Sequence, residues 1–212
     1  PGVHAKKRRR DRLITLAQAH PDWVVGFQDE TWWSRVAPPT ISAWAEEGQP
    51  PRLVAQAVPA GEPKALACYG VLFPEALPAA FARDTIWLRF VSGRPVSGIT
   101  TAYLAWCAER LAIQGVRVWV LVWDNASWHI SREVRGWLRA HNRSVKQSGQ
   151  GVRILACPLP VKSPWLNPME VYWRHGKRQT VEPDGMLTAE QLEARICAYY
   201  GCEQEEHLVI PQ

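Results

Sequence analysis

The chain has 212 residues, enough for one large domain or two small ones, and 47% of them are hydrophobic, so a sizeable core is available. Its formal net charge of +5 favours an anionic partner. No apolar run is long enough to span a membrane and no secretory signal is visible, so a cytoplasmic setting is expected.

The five cysteines, Cys68, Cys107, Cys157, Cys197 and Cys202, are scattered and odd in number, which suits a reducing compartment. Cys197, Cys202 and His207 lack both standard zinc spacing and a fourth ligand, and packing as small hydrophobes accounts better for the cysteines. Twelve Trp support aromatic packing or stacking on bases. The chain opens on Pro1 rather than Met, so it is expected to be part of a longer protein.

Residues 4–12, HAKKRRRDR, form a basic run that reads as a solvated tail or a nucleic-acid arm spanning 1–19. Trp23–Asp29 reads as a strand, with Thr31–Val36 as its hairpin continuation. Residues 37–63 are rich in Pro, Gly and Ala and read as loop. Two more strands are predicted over Ala65–Leu72 and Thr85–Val91. A helix follows from about Thr100, with Leu104, Cys107, Ala108 and Leu111 as its apolar stripe and Gly115 as its stop. Val116–Trp123 is apolar apart from Arg117, the pattern of a central strand covered on both faces.

Ser131 caps the next predicted helix, whose inner stripe is Val134, Trp137, Leu138 and His141. Arg132, Arg135 and Arg139 fall on another face, either solvated or tracking phosphates. Residues 142–151, NRSVKQSGQG, are polar and glycine-containing. They read as a flexible loop whose deletion leaves the fold intact. Val152–Cys157 reads as a short strand and PLPVKSPWLNP as a proline-stiffened extended segment. Asn167 then serves as an N-cap with Pro168 in the first helical position, and TAEQ from Thr188 reads as a capping box. The order is three strands, helix, strand, helix, strand, helix, which predicts a mixed sheet flanked by helices, a single domain over residues 20–212.

Three acids stand out. Asp124 ends the buried strand in VWDNASWH, where an open α/β sheet places its ligands, although Asp in that place also serves turns and caps. Asp29 ends the apolar run before QDE, and Asp-Glu pairs are common on surfaces. Glu170 opens a helix in SPWLNPMEVYW, with Arg174, Lys177 and Arg178 on its face. A carboxylate at a helix start complements the dipole, and one four residues before Arg makes an ordinary pair. The same three acids, brought together, suit two Mg²⁺ ions acting on phosphate.

The set QDE, WDNASWH and SPWLNPMEVYW resembles the DDE transposases of the mariner superfamily, and most closely their bacterial insertion-sequence branch, over roughly residues 20–200. The resemblance implies a ribonuclease H-like fold, with a mixed five-stranded sheet and helices on both faces. It implies Asp29, Asp124 and Glu170 as catalytic, metal-holding acids, with Asn125, His129 and Asn167 in supporting roles. Two Mg²⁺ ions, or Mn²⁺ in their place, are the implied cofactors. The implied partners are the DNA of element ends and a target, expected to be a TA dinucleotide, with a homodimer in the full-length complex. The setting would be a bacterial cytoplasm, at the nucleoid. Lys6, Lys7, Arg8, Arg9, Arg10, Lys162, Arg174, Lys177 and Arg178 are the expected backbone contacts to DNA. The resemblance implies DNA-reading domains upstream in family members, and none is expected within this chain. The 45 residues between Asp124 and Glu170 exceed the family's usual spacing, and the excess is assigned to the predicted loop at 142–151. A nuclease of the same fold that cuts without joining, and a domesticated DNA-binding module without chemistry, are the rival readings.

Overall fold

A computed structural model describes residues 3–35, 46–48, 58–74, 84–161, 163–180 and 186–210. Its elements in chain order are α1 (Val3–Gln18), β1 (Trp23–Ser34), β2 (Ala65–Phe73), β3 (Thr85–Val91), α2 (Ser97–Ile113), β4 (Val118–Trp123), α3 (Arg132–Ser148), β5 (Arg153–Pro158), a short 3-10 turn (Pro164–Leu166), α4 (Met169–Thr180) and α5 (Ala189–Tyr200). The five strands form one sheet in the order β3-β2-β1-β4-β5. The β1–β2 and β2–β3 pairs are antiparallel, and β1–β4 and β4–β5 are parallel. This is the ribonuclease H-like arrangement, a mixed five-stranded sheet with helices on both faces. Among the described residues, no helix is long and apolar enough to cross a membrane.

Strand alternation sorts the side chains into two cores. In β4, Trp119, Leu121 and Trp123 join Tyr103, Leu104, Leu111 and Val134 of α2 and α3 on one face. Val120 and Val122 join Ala17 of α1, Met169 and Trp173 of α4 and Ile196 of α5 on the other. Every residue of β4 is buried, which is why its sequence is almost wholly apolar.

Glycine settles one contact that matters for the site. A Cβ on Gly70 of β2 would lie 2.5 Å from a Trp173 ring carbon and 2.6 Å from Met169 Cε. Only a residue without a side chain lets α4 settle onto the sheet there, and Gly70 is the register partner of Asp29.

Three expectations are corrected. Thr31–Ser34 do not turn back as a hairpin but continue β1, because Asp29–Ser34 pair with Ala65–Gly70 of β2. Residues 142–148 are not loop but the last two turns of α3. RSVKQS contains no helix breaker, and the breakers come only afterwards, at Gly149 (φ 69°), which closes the helix in the left-handed conformation, and Gly151. The Asn142 amide donates to the Ile154 carbonyl and accepts from the Ile154 N–H, so this segment clamps α3 to β5. Its removal therefore breaks a helix and an anchor, contrary to the expectation for a flexible loop. The basic run, third, lies within α1 and packs against β1, β4 and β5. The 37–63 loop falls mostly outside the described residues.

Candidate active site

Parallel pairing of β1 with β4 brings two of the acids together. Phe27 is level with Val122, so Asp29 and Asp124 each stand two residues further along, side by side at the carboxyl end of the pair. Asn167 delivers the third. Its side chain accepts from the Met169 N–H at 3.1 Å, capping α4, and donates to the Gln28 carbonyl at 3.0 Å, one residue before Asp29. The cap of α4 is thus bolted to β1, and Glu170 faces the sheet end. Asp29, Asp124, Asn125, Ser163, Asn167 and Glu170 line one cavity of about 260 Å³. A larger cavity of about 460 Å³ lies between β3, α2 and α5. Of its three acids, Asp84 accepts from the Tyr172 hydroxyl and Glu205 pairs with Arg89 and Arg110, so the smaller cavity is marked by carboxylates gathered at the strand ends and not by its size.

The two aspartates sit in opposite electrostatic settings. Burial, then the charges of Glu30, Glu170 and Asp124, push the Asp29 carboxyl up to about 8. Its Oδ2 accepts from the Trp173 indole N–H at 3.0 Å. Trp173 is itself fixed edge-on against Trp33 and Tyr200, with ring centres 5.9 and 5.8 Å away. Burial alone would also raise Asp124, but hydrogen bonds from His129 and the Ala126 N–H, with the charge on His129, bring it below its ordinary value.

His129 is the hinge of that second setting. Burial disfavours its cation, yet the charge of Glu30 and the hydrogen bonds to Asp124 and Glu30 push its pKa up to about 9. At neutral pH the ring is therefore doubly protonated. It donates from Nδ1 to Asp124 Oδ1 and from Nε2 to Glu30 Oε1, both at 2.7 Å. It also stacks on Trp123, with centroids 4.6 Å apart and planes 11° apart. Asn125 donates to the Leu159 carbonyl and accepts from Lys6 Nζ at 2.9 Å, tying α1 to the cavity's rim.

Sequence reasoning placed Asp29, Asp124, Asn125, His129, Asn167 and Glu170 at the site. It missed Glu30 and Trp173 as polar partners. Strand alternation was the available signal for Glu30: if Asp29 faces the cavity, its neighbour faces the opposite side, where His129 lies. Of the expected DNA contacts, Lys6, Arg9 and Arg10 are partly engaged within the protein, with Asn125 and the carbonyls of Leu159, Ala156 and Leu166. Lys7, Arg8, Arg174, Lys177 and Arg178 are exposed, and Lys177 Nζ lies 5.9 Å from the Trp33 ring centre. Lys162 lies outside the described residues.

Residues 93–193 match the family model of the DDE superfamily endonucleases, a segment that contains Asp124 and Glu170 and leaves out Asp29. Solved structures with the same fold include the Mos1 strand transfer complex (16% identity, TM-score 0.59, covering 95% of this chain and 54% of that one) and the mariner Mos1 paired-end complex with Mg (15%, 0.58, 93% and 54%). The catalytic domain of Mos1 mariner transposase is a third (13%, 0.52, 96% and 82%). The chain spans about half the length of the first two. No curated protein matches it by sequence.

Proposed function

We propose that this chain is the catalytic domain of a metal-dependent DNA transposase of the mariner superfamily, bacterial insertion-sequence branch. In this reading it cleaves element ends and joins them to target DNA. The observation that carries the reading is the convergence of Asp29, Asp124 and Glu170, from β1, the end of β4 and α4, on one cavity. The site motifs, the DDE endonuclease match and the fold shared with the Mos1 complexes support it.

Among the described residues, no group of three His, Cys, Asp or Glu side chains already stands close enough to hold an ion. The donor set nonetheless fits hard divalent cations. It is all carboxylate oxygen, Asp29 and Asp124 each use one named oxygen in a hydrogen bond, and burial, followed by the repulsion of neighbouring carboxylates, raises the Asp29 pKa. Asp29, Asp124 and Glu170 would hold two Mg²⁺ or Mn²⁺ ions. Bound there, the ions would supply activation of an attacking hydroxyl and stabilisation of the leaving 3′-oxygen.

The protein's part is orientation and charge. The Trp173 indole fixes one oxygen of Asp29 and the His129 imidazolium fixes one of Asp124. Asn167 sets the position of α4 and hence of Glu170. Exposed cations such as Lys7, Arg8, Arg174, Lys177 and Arg178, with Lys162, would hold backbone phosphates, contacts that position DNA without reading its sequence. A TA target, a homodimer in the full-length DNA complex and a bacterial cytoplasmic setting belong to the same proposal, as does the division into a basic segment over 1–19 and a catalytic domain over 20–212.

Glu170→Gln and Asp124→Asn test it. Each should abolish Mg²⁺- or Mn²⁺-dependent nicking of duplex DNA, a drop of more than about 10³-fold, while binding in EDTA persists. Cleavage by either variant at the wild-type rate overturns the three-carboxylate reading. Precleaved ends that are never joined to a target leave a nuclease instead.

A further inference from the structure

A second charged feature lies outside the carboxylate cavity. β5 is the edge strand of the sheet, with α1 flanking it on one face and α3 on the other. Between them runs an open groove of about 740 Å³, lined by Arg9 of α1, Arg135, Arg139, Arg143 and Lys146 of α3, and Arg153 of β5. All six side chains are exposed. No acidic residue lines the groove, and none of the six takes part in an ion pair among the described residues.

Sheet edges are often guarded by a charge or two against pairing with another chain. That purpose does not call for six like charges. Arg135, Arg139 and Arg143 repeat every four residues, with Lys146 three further on, so they share one helix face. At 1.5 Å per residue this row is about 16 Å long, close to five base-pair steps of duplex. Uncompensated like charges in a row are costly to hold together, and a polyanion of matching spacing relieves the cost.

The groove also continues from the candidate active site. Successive turns of α1 place Lys6 on the Leu159 carbonyl at the cavity's rim and Arg9 on the Ala156 carbonyl in the groove. Leu159 and Ala156 are three residues apart, about 10 Å along an extended chain.

We propose that the groove along the free edge of β5 is a second seat for duplex DNA, gripping the backbone of the DNA that runs out of the carboxylate cavity. The proposal rests on the reading that this chain acts on DNA. The four cations of α3 supply most of the grip, Arg9 and Arg153 close it from the sides, and contacts are to phosphates, so no base sequence is selected.

The test is DNA affinity in EDTA across a salt series, read by fluorescence anisotropy on a mixed-sequence duplex. The variant carries Arg135→Gln, Arg139→Gln, Arg143→Gln and Lys146→Gln. Gln supports helix nearly as well as Arg, and thermal melting checks that α3 stands. Losing four phosphate contacts should make the slope of log affinity against log salt shallower by about 3 to 4 and weaken low-salt binding by ~10²-fold or more. A companion with Lys at the three arginine positions should keep most of the affinity. Wild-type binding and slope in the Gln variant would overturn the proposal. So would equal weakness of the Lys and Gln variants, or a loss seen only on anionic phospholipid vesicles. Asp124→Asn separates this proposal from the catalytic one: it should bind DNA as the wild type does in EDTA. If the wild type never cleaves but the Gln variant loses DNA, the groove stands and the catalytic reading falls.

Discussion

The two aspartates at the carboxyl end of β1 and β4 are level in register yet held in opposite ways. Asp124 has a cation against it. His129 and a backbone N–H hold its charge, and its carboxyl titrates below the ordinary range. Asp29 has only neutral donors, the Trp173 indole and the Glu30 backbone N–H, sits deeper, and faces the charges of Glu30, Glu170 and Asp124. The difference teaches how a fold holds two acids side by side. One carboxylate is neutralised by the protein itself and stays ionised. The other holds a proton up to about pH 8, which an incoming cation would displace.

The largest break in this comparison is His129→Ala. It leaves Glu30, whose side chain is 8% exposed, and one oxygen of Asp124 without their cation. Removing one member of a buried charge pair costs about 3 kcal/mol or more. The melting temperature should fall by roughly 10 °C, and Asp124 should come to resemble Asp29. An unchanged melting curve would mean that the His129 clasp contributes nothing.

A smaller effect comes from Asp29 and pH. Its carboxyl, normally near 3.8, is raised to about 8, so the folded state binds the extra proton between those values and loses stability as pH climbs. His129, normally near 6.5 and raised to about 9, adds stability below 6.5 that is lost as pH rises through 9. Without metal, the melting temperature should therefore fall from about pH 6 towards pH 9. Asp29→Asn should flatten the lower part of that fall and raise the melting temperature at neutral pH by about 3 °C, near 1 kcal/mol. A lower melting temperature for Asp29→Asn would put the strain elsewhere.

Trp173→Phe makes the finest cut. It keeps most of the packing against Trp33 and Tyr200 and removes the N–H that holds Asp29 Oδ2. The loss of one hydrogen bond to a carboxylate should cost about 1 kcal/mol and show as a several-fold weaker Mn²⁺ affinity by calorimetry. Equal affinity would free Asp29 from any need of the indole.

The parts of this molecule legible in sequence were those set by local chemistry. Val118–Trp123 announces a doubly covered strand by being apolar throughout, and Asp124 marks its end. Asn167-Pro168 announces the start of α4, and with it the place of Glu170. The capping box at Thr188 and Gln191 forms with both of its hydrogen bonds. What stayed hidden was set by distant partners. The polar run at 142–148 is helix because Asn142 grips the Ile154 backbone twelve residues away. Lys6 finds Asn125 across 119 residues, and no pattern within α1 forecasts that. Thr31–Ser34 stay extended because β2 lies beside them, long after β4 has ended.

The clamp of Asn142 on Ile154 has a mechanical consequence for how this chain can vary. Everything between the clamp and the return of β5 hangs on the far end of the sheet from Asp29, Asp124 and Glu170. Whole helical turns added or removed after residue 142 would lengthen or shorten the row of α3 cations and leave the acids where they stand. Within the 45-residue interval between Asp124 and Glu170, residues 143–152 are thus a spacer whose length is insulated from the candidate site, so that the length of the cationic row can drift while the acids hold still.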